Sequence, residues 1–350
     1  MMRSRTIIAI PPGETIREQL IDRDMTQKEF AVRIGMSEKH ISRLINGDVQ
    51  LTPDVAVRLE MVLDIPAHFW SNLESIYREK LSKAQMENEM DDDLEFLSRI
   101  PYNEMAKNQW VESTRSKTER VFNLRKFFEV VRLSVLTNDL IPNIACRRLG
   151  EGSKSDYALI SWAQKAKLES RSVETGPIDI EKLKELIPEI RTMTRQDPAF
   201  FCELLCKKLS ECGIALIFLP HIGGSFLHGA TFYDKSKIVI GMTVRGKDAD
   251  KFWFSLFHEI GHIILGHIDL AEGVTDQDER DADFFARNTL IPDNEFKKFA
   301  EKKSFDKISV KIFSEEIGVD VGIVVGRLQK ENLIPFNRLN GLKIKYKLTA

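Results

Sequence analysis

The sequence lacks the features that define several classes of protein. It has four cysteines in 350 residues, and no two of them form a Cys-x-x-Cys pair. Cys202, Cys206 and Cys212 fall at one predicted helix, so we expect free thiols and neither a disulfide framework nor a cysteine metal site. No apolar run approaches membrane-spanning length, and the apolar stretch near residue 8 is too short for a signal peptide. We therefore expect a cytoplasmic protein with no membrane partner.

A strong net charge is also absent. Lys and Arg total 51 while Asp and Glu total 53, which gives a formal net charge of −2 at pH 7. This balance gives no overall attraction to nucleic acid, so any DNA binding must come from a local basic surface. The 43% hydrophobic and 30% charged composition is ordinary for a globular protein, and the length suffices for two or more cores.

A His-Glu-x-x-His motif carries the clearest chemical signal. His258, Glu259 and His262 lie in an apolar stretch with helical periodicity. Residues four apart share one helix face, so the two histidines can hold one metal ion, and Glu259 can take a proton from water there. The alternative is two histidines on a partly buried helix face without a metal. A third histidine, His267, is interpreted as stabilising the C-terminal end of the helix dipole.

A second segment, residues 275–286, offers the third ligand that a catalytic zinc site needs. Glu279 is the candidate ligand, and Asp281 is a minor alternative. Asp283 shares a predicted helix face with Glu279 and can accept the far N–H of a zinc-bound histidine. The other explanation of these acidic residues is a solvated helix start, which the helix dipole favours. The ligand set favours Zn²⁺, with manganese or another divalent ion as alternatives.

These two segments resemble the ImmA/IrrE family of zinc metallopeptidases over about residues 200–335. HEIGHIILGH is similar to the family's HExxH motif, and ERDADFFARNTLIP is similar to its downstream E-x-E-A-N-x-F-A segment. Glu279 matches the first glutamate of that segment, Asp281 the second and Asp283 the asparagine. The resemblance implies a zinc-dependent peptidase with a helical C-terminal part.

A small β-sheet is predicted just before the HExxH helix. Residues 213–219 form a buried strand by length and composition, and residues 229–233 and 237–241 form a hairpin. The edge of such a sheet can align an extended peptide through main-chain hydrogen bonds. His228 and Tyr233 are candidates for lining this cleft and stabilising an oxyanion, although a structural role is the favoured alternative for each.

Residues 13–80 have the pattern of a compact helical module. Thr26 followed by Glu29 is a capping-box pattern that starts a helix, and Gly35 can take the positive φ that ends it in a tight turn. Ser37 then caps a second helix. Because the apolar residues of both helices are spaced to face one core, the module has helix-turn-helix geometry, with the second helix as the candidate recognition helix.

The outward face of this module carries the candidate DNA contacts, which are Gln27, Ser37, Lys39, His40 and Arg43. Lys39 and Arg43 lie four apart and can meet phosphates or guanine edges together. The alternative is a helical hairpin with a solvated polar face. The module resembles the Cro/repressor-type helix-turn-helix family in its HigA-like antitoxin version. That resemblance implies a homodimer on double-stranded operator DNA.

We therefore predict three parts and a fold that is multidomain and mainly α. Residues 1–80 form an all-α helix-turn-helix DNA-binding domain, and residues 81–195 form a helical linker or middle region without a chemical motif. Residues 196–350 form an α+β, zincin-like metallopeptidase domain of the ImmA/IrrE kind. The charged stretch 78–97, which begins at the end of the first domain, is the candidate linker. Residues 78–100 form the exposed segment where self-cleavage would separate the two ends of the chain.

The predicted function combines both ends of the chain. We expect a transcriptional regulator, of the antitoxin or prophage/stress-operon type, with a zinc-dependent endopeptidase that cleaves a regulatory protein or itself. Its protein substrate would be a toxin or a repressor. The alternative is a non-proteolytic repressor or antitoxin whose peptidase-like domain is a sensor or partner-binding module. The complete His-Glu-His-Glu set favours the enzyme, since docking alone does not require Glu259.

Overall fold

The computed structural model describes residues 2–4, 6–137, 154–223, 229–243, 248–269 and 274–346. They fall into two compact units, which we call the first unit (residues 1–95) and the second unit (residues 96–350). The predicted fold class is confirmed, since the first unit is almost entirely helical and the second combines helices with a small sheet. The three-part domain division stays a prediction. Among the described helices, none has both the length and the apolar character needed to span a membrane.

The first unit is built from helices and a short hairpin. Its helices are α1 (Pro12–Asp22), α2 (Gln27–Ile34), α3 (Glu38–Asn46), α4 (Pro53–Leu63) and α5 (Ala67–Asn88). Strands β1 (Met2–Arg3) and β2 (Ile8–Ala9) pair antiparallel. A 3-10 helix, Glu89–Ser98, follows α5 directly, so the stretch predicted as a linker has helical structure.

Local signals start and end α2 and α3 as predicted. The Thr26 hydroxyl accepts a hydrogen bond from the Glu29 backbone N–H at 3.1 Å, and Ser37 caps α3 in the same way at 3.2 Å. Gly35 ends α2 in the left-handed conformation at φ 70°, which a residue without a Cβ adopts at little cost. The reciprocal half of the expected capping box does not form, because the Glu29 carboxylate pairs with Arg33 at 2.6 Å.

One core holds the helix-turn-helix in place. Phe30 of α2, Ile41 of α3 and Trp70 of α5 are all fully buried in it. The Trp70 indole N–H donates to the Ile65 carbonyl at 3.1 Å, which satisfies its only polar group. A Cβ on Gly13 would lie 2.1 Å from the backbone oxygen of Ile45. The two helices α1 and α3 can therefore pack this closely only because residue 13 has no side chain.

The second unit contains the remaining elements. Its helices are α6 (Tyr102–Lys107), α7 (Lys117–Phe128), α8 (Lys154–Ser170), α9 (Ile180–Thr192), α10 (Pro198–Ser210), α11 (Ala249–Ile264), α12 (Asp276–Leu290), α13 (Asp293–Glu301), α14 (Lys307–Ile317) and α15 (Val321–Lys330). Its strands are β3 (Ile214–Leu219), β4 (Gly229–Asp234) and β5 (Lys237–Thr243). Short 3-10 helices occupy Leu133–Thr137, Met193–Arg195, His267–Asp269 and Asn340–Leu342.

The sheet has the strand order β3-β5-β4. β3 runs parallel to β5, and β4 runs antiparallel to it, which confirms the predicted hairpin. Helix α8 packs against β3 and β5, where the Trp162 ring lies over Gly241 at a point that a Cβ would fill. Part of the predicted middle region therefore belongs to the same compact unit as the sheet. Helix α11 packs against β4 and brings the HExxH motif to that strand.

The described cysteines agree with the prediction of free thiols. Cys202 and Cys206 are half-buried on α10, and Cys212 is buried just after it. Burial raises the pKa of all three thiols, so none is activated as a thiolate.

Candidate metal centre and nucleic-acid interface

Helices α11 and α12 lie side by side because small residues meet at their contact. Gly261, inside the HExxH motif, faces α12. A Cβ added at Gly261 would lie only 3.3 Å from Ala282 Cα and 3.1 Å from the Phe285 ring, so the absence of a side chain permits the close contact. Both Gly261 and Ala282 are buried. This close approach carries Glu279, one turn before Ala282, up to the HExxH histidines.

The predicted ligands converge on one point. His258 Nε2 and His262 Nε2 lie 3.0 Å apart. Glu279 places one carboxylate oxygen 3.5 Å from His258 Nε2 and the other 3.8 Å from His262 Nε2. One ligand atom from each residue fits within a mutual distance of 4.8 Å. Two imidazole nitrogens and a carboxylate form a donor set that zinc takes in catalytic sites, so the residues present fit a divalent metal ion.

The two further acidic residues of α12 lie in different surroundings. Asp283 Oδ1 is 2.8 Å from His258 Nδ1, where it can accept a hydrogen bond from the Nδ1–H and orient the ring. Asp281 is exposed, and its carboxylate accepts a hydrogen bond from the Gln277 side chain at 2.8 Å. Asp281, the alternative ligand, therefore lies away from the ligand cluster, whereas Asp283 contacts the cluster at His258.

Strand β4 holds the side chain of Glu259. The Glu259 side chain is buried, with the residue 5% exposed, and its Oε2 accepts a hydrogen bond from the Thr231 hydroxyl at 2.6 Å. The backbone of Gly229 comes so close that a Cβ there would lie 2.7 Å from Glu259 Oε1. Sequence reasoning missed Thr231. The available signal was a threonine in the middle of a strand predicted just before the HExxH helix, flanked by apolar Ala230 and Phe232.

The titratable groups of the cluster perturb one another strongly. Burial opposes charge on His258, but the Asp283 and Glu279 carboxylates outweigh it and raise the pKa of this imidazole to about 10. Burial and the nearby positive charge of His258 lower the pKa of His262 to about 4. The hydrogen bond to His258 lowers the pKa of Glu279, and burial raises the pKa of Glu259 to about 7. Opposed shifts among adjacent groups are typical of functional sites.

His267, predicted to stabilise the C-terminal end of the helix dipole, also contacts His262 and Asp278. His267 lies in the 3-10 helix after α11, is 8% exposed, and has its Nδ1 3.1 Å from His262 Nδ1. Its Nε2 is 3.5 Å from Asp278 Oδ1. Of the two oxyanion candidates, His228 lies outside the described residues, and Tyr233 is half-buried on β4.

The outward face of α3 forms the candidate nucleic-acid interface. Four of the predicted contact residues are exposed: Gln27, Ser37, Lys39 and Arg43. His40 is half-buried, and its Nε2 has no hydrogen-bond partner among the described residues. Glu38 and Ser42 are also exposed on α3. The N-terminal residues of a recognition helix reach base edges, so Glu38 is an additional candidate that the sequence prediction did not include.

Comparisons with known proteins agree with this architecture. Residues 16–70 match the family described as "Helix-turn-helix", and residues 228–328 match a peptidase family described as "IrrE N-terminal-like domain". The HTH-type transcriptional regulator YddM of Escherichia coli is 31% identical over 80 residues, which cover 23% of this chain and 81% of that protein. A solved structure of an addiction module antidote protein of a HigA family from Coxiella burnetii is 24% identical, with a TM-score of 0.22. It covers 24% of this chain and 94% of that chain.

The first unit therefore defines a DNA-binding protein of the helix-turn-helix class. The chain belongs to the helix-turn-helix transcriptional regulators and carries a domain of the ImmA/IrrE-like peptidase family in its second unit. The predicted resemblances to the helix-turn-helix family and to the ImmA/IrrE family are confirmed.

Proposed function

We propose that the chain is a transcriptional regulator whose second unit is a zinc-dependent endopeptidase. The observation that carries this proposal is the convergence of His258, His262 and Glu279 within 4.8 Å. Glu259 lies on the same helix as the histidines and is held by its own hydrogen bond from Thr231. A purely structural cluster without a metal would not require the ligand atoms of these three residues to converge. It would also not require Glu259 to be held beside them by Thr231.

The residues of the site divide the chemistry between them. A zinc ion, when bound, makes water a stronger acid and polarises the scissile carbonyl group. Glu259 takes a proton from the water that attacks the carbonyl carbon, and it passes that proton to the amine nitrogen as the C–N bond breaks. Thr231 keeps the Glu259 carboxylate on the strand side of the site. Asp283 fixes the ring of His258 so that its Nε2 points into the site.

The substrate we propose is an extended segment of a regulatory protein, such as a toxin or a repressor. Strand β4 is at the edge of the sheet as described, and it runs beside Glu259, so a peptide paired with its backbone would pass the catalytic carboxylate. Self-cleavage between residues 78 and 100 is less favoured. That stretch is helical, and strand pairing requires an extended chain.

A second candidate function is a non-proteolytic regulator that uses the second unit as a sensor or partner-binding module. The observation that favours it is the low exposure of the site, since Glu259 is 5% exposed and His262 is 1% exposed. A cleft this closed would exclude a peptide substrate, which leaves the second unit to bind a signal or a partner instead.

The peptidase proposal is tested by measuring the zinc content of the protein and by identifying the peptide fragments that it produces. We expect about one zinc per chain in the wild type and in Glu259→Gln, and loss of zinc in His258→Ala with the fold intact. Wild type and Glu259→Gln are then incubated with cell extract and zinc, and new peptide termini are identified by mass spectrometry. Termini that appear only with the wild type support the enzyme. Equal fragmentation by both proteins, or a folded wild type that binds no zinc, would contradict it.

For the first unit, we propose that α3 binds operator DNA in the major groove and that the protein acts as a homodimer in the cytoplasm. Lys39→Ala and Arg43→Ala should each weaken binding to DNA upstream of the gene and reduce the salt slope by about 1. Lys297→Ala, an exposed lysine on α13, is the matched control. Unchanged affinity and slope in both α3 variants would show that the assigned face is wrong. Sedimentation of the full chain measures the oligomeric state.

A further inference from the structure

We propose that His267 and Asp278 are positioning residues that fix the ring and the proton position of His262. This inference rests on the proposed metal site and deepens it. His267 is assigned no contact with metal or substrate. Its role is to hold His262 with the lone pair of Nε2 directed at the site.

The three side chains form one continuous chain of contacts. His262 Nδ1 lies 3.1 Å from His267 Nδ1, and His267 Nε2 lies 3.5 Å from Asp278 Oδ1. His262 and His267 are 1% and 8% exposed, so water has little access to either ring. The protons on these nitrogens are therefore set by the side chains that face them.

With both rings neutral, one proton arrangement satisfies the contact of His267 with Asp278 and its contact with His262. A carboxylate accepts hydrogen bonds and does not donate them, so Asp278 favours a proton on His267 Nε2. A neutral His267 then presents Nδ1 as an acceptor. His262 must donate its Nδ1 proton to that acceptor, which leaves His262 Nε2 without a proton and able to bind a metal.

The opposite arrangement fails at two places. It would put the lone pair of His267 Nε2 against the Asp278 carboxylate, where two acceptors repel. It would also put a proton on His262 Nε2, the atom proposed to bind the metal, whereas in the favoured arrangement His258 Nε2 donates the proton of the 3.0 Å contact with His262 Nε2. A proton on His262 Nε2 blocks metal binding. The contact chain thus selects the ligating form of His262.

Thr275, at the N-terminal end of α12, orients the Asp278 carboxylate. The Thr275 backbone N–H and hydroxyl donate to Asp278 Oδ2 at 2.8 and 2.6 Å, which leaves Oδ1 to face His267. Both proposed histidine ligands are thereby tied to carboxylates of α12. Asp283 contacts His258 directly, while Asp278 acts on His262 through the intervening ring of His267.

Zinc affinity of the full chain, measured by competition with a chromophoric chelator, tests the inference. His267→Phe keeps a planar ring and removes the acceptor, so we expect zinc affinity to fall about 10- to 100-fold. His267→Asn returns an acceptor near the Nδ1 position and should recover most of that loss. His68→Phe, the same exchange at an exposed histidine of the first unit, is the matched control and should leave zinc affinity unchanged.

The outcomes separate this inference from the proposed function. Zinc binding that is lost in His258→Ala but unchanged in His267→Phe would overturn the positioning role and leave the metal site standing. A folded wild type without zinc affinity would overturn both.

A second measurement does not depend on metal. Imidazole ¹⁵N NMR of the zinc-free wild type, at mildly alkaline pH, reports which ring nitrogen carries the proton. We expect the Nδ1–H form for His262 and the Nε2–H form for His267, with His262 shifting toward Nε2–H in His267→Asn to a smaller extent than in His267→Phe. The Nε2–H form of His262 in the wild type would contradict the inference, whether or not the phenylalanine variant folds.

Discussion

Replacing Thr231 by valine tests how strand β4 holds the proposed catalytic carboxylate. Thr231 is fully buried, and its hydroxyl donates a hydrogen bond to Glu259 Oε2 at 2.6 Å. Valine keeps the β-branched shape that suits a strand, so the main change is the loss of one donor. Glu259 is itself buried, and water cannot readily replace that donor.

We expect Thr231→Val to lower the free energy of unfolding by about 1–3 kcal/mol, because a buried carboxylate oxygen loses its partner. Thr243→Val in the neighbouring strand β5 is the matched control. Thr243 is also buried, but its hydroxyl has no hydrogen-bond partner among the described residues. Its replacement should change stability by less than about 0.5 kcal/mol or increase it, since an unpaired polar group is removed.

The assay is urea unfolding of the full chain in the presence of a chelator, with the second-unit transition identified by its sensitivity to Glu259→Leu. A double-mutant cycle between Thr231→Val and Glu259→Leu isolates the hydrogen bond, and we expect a coupling energy of about 1 kcal/mol or more. Equal effects of Thr231→Val and Thr243→Val, or a coupling energy below about 0.5 kcal/mol, would refute the reasoning.

Three further outcomes are expected. Gly261→Val adds a side chain where a Cβ would already lie 3.3 Å from Ala282 Cα, so it should push α12 away from α11. We expect the chelator competition to show zinc affinity at least about tenfold weaker. Unchanged affinity would contradict the close approach of the two helices. Burial raises the pKa of Cys206 to about 11, so its alkylation at neutral pH, followed by mass spectrometry, should be on the order of 100-fold slower than that of an ordinary thiol; rapid labelling would show that the site is open. Thr26→Ala removes the cap of α2 and should cost about 1 kcal/mol in the unfolding of the first unit; an unchanged transition would mean that the cap contributes nothing.

Features that depend on neighbours along the chain could be predicted from residue types and their spacing. Caps at Thr26 and Ser37 and the left-handed Gly35 each involve atoms within a few residues, so their side-chain types suffice to predict them. The same holds for the shared face of His258 and His262, because an α-helix fixes the geometry of residues four apart. The hairpin of β4 and β5 was also visible, since it joins adjacent segments.

Contacts between side chains of separate elements could not be predicted, because they depend on how those elements pack. The Thr231 contact with Glu259 spans 28 residues, and it depends on how α11 packs against β4. His267 lies within five residues of His262, yet its contact with Asp278 was not predicted, because the direction of its ring depends on the turn after α11 and on the position of α12. Periodicity gives the face that a side chain occupies, but the partner on that face is set by the packing of separate elements.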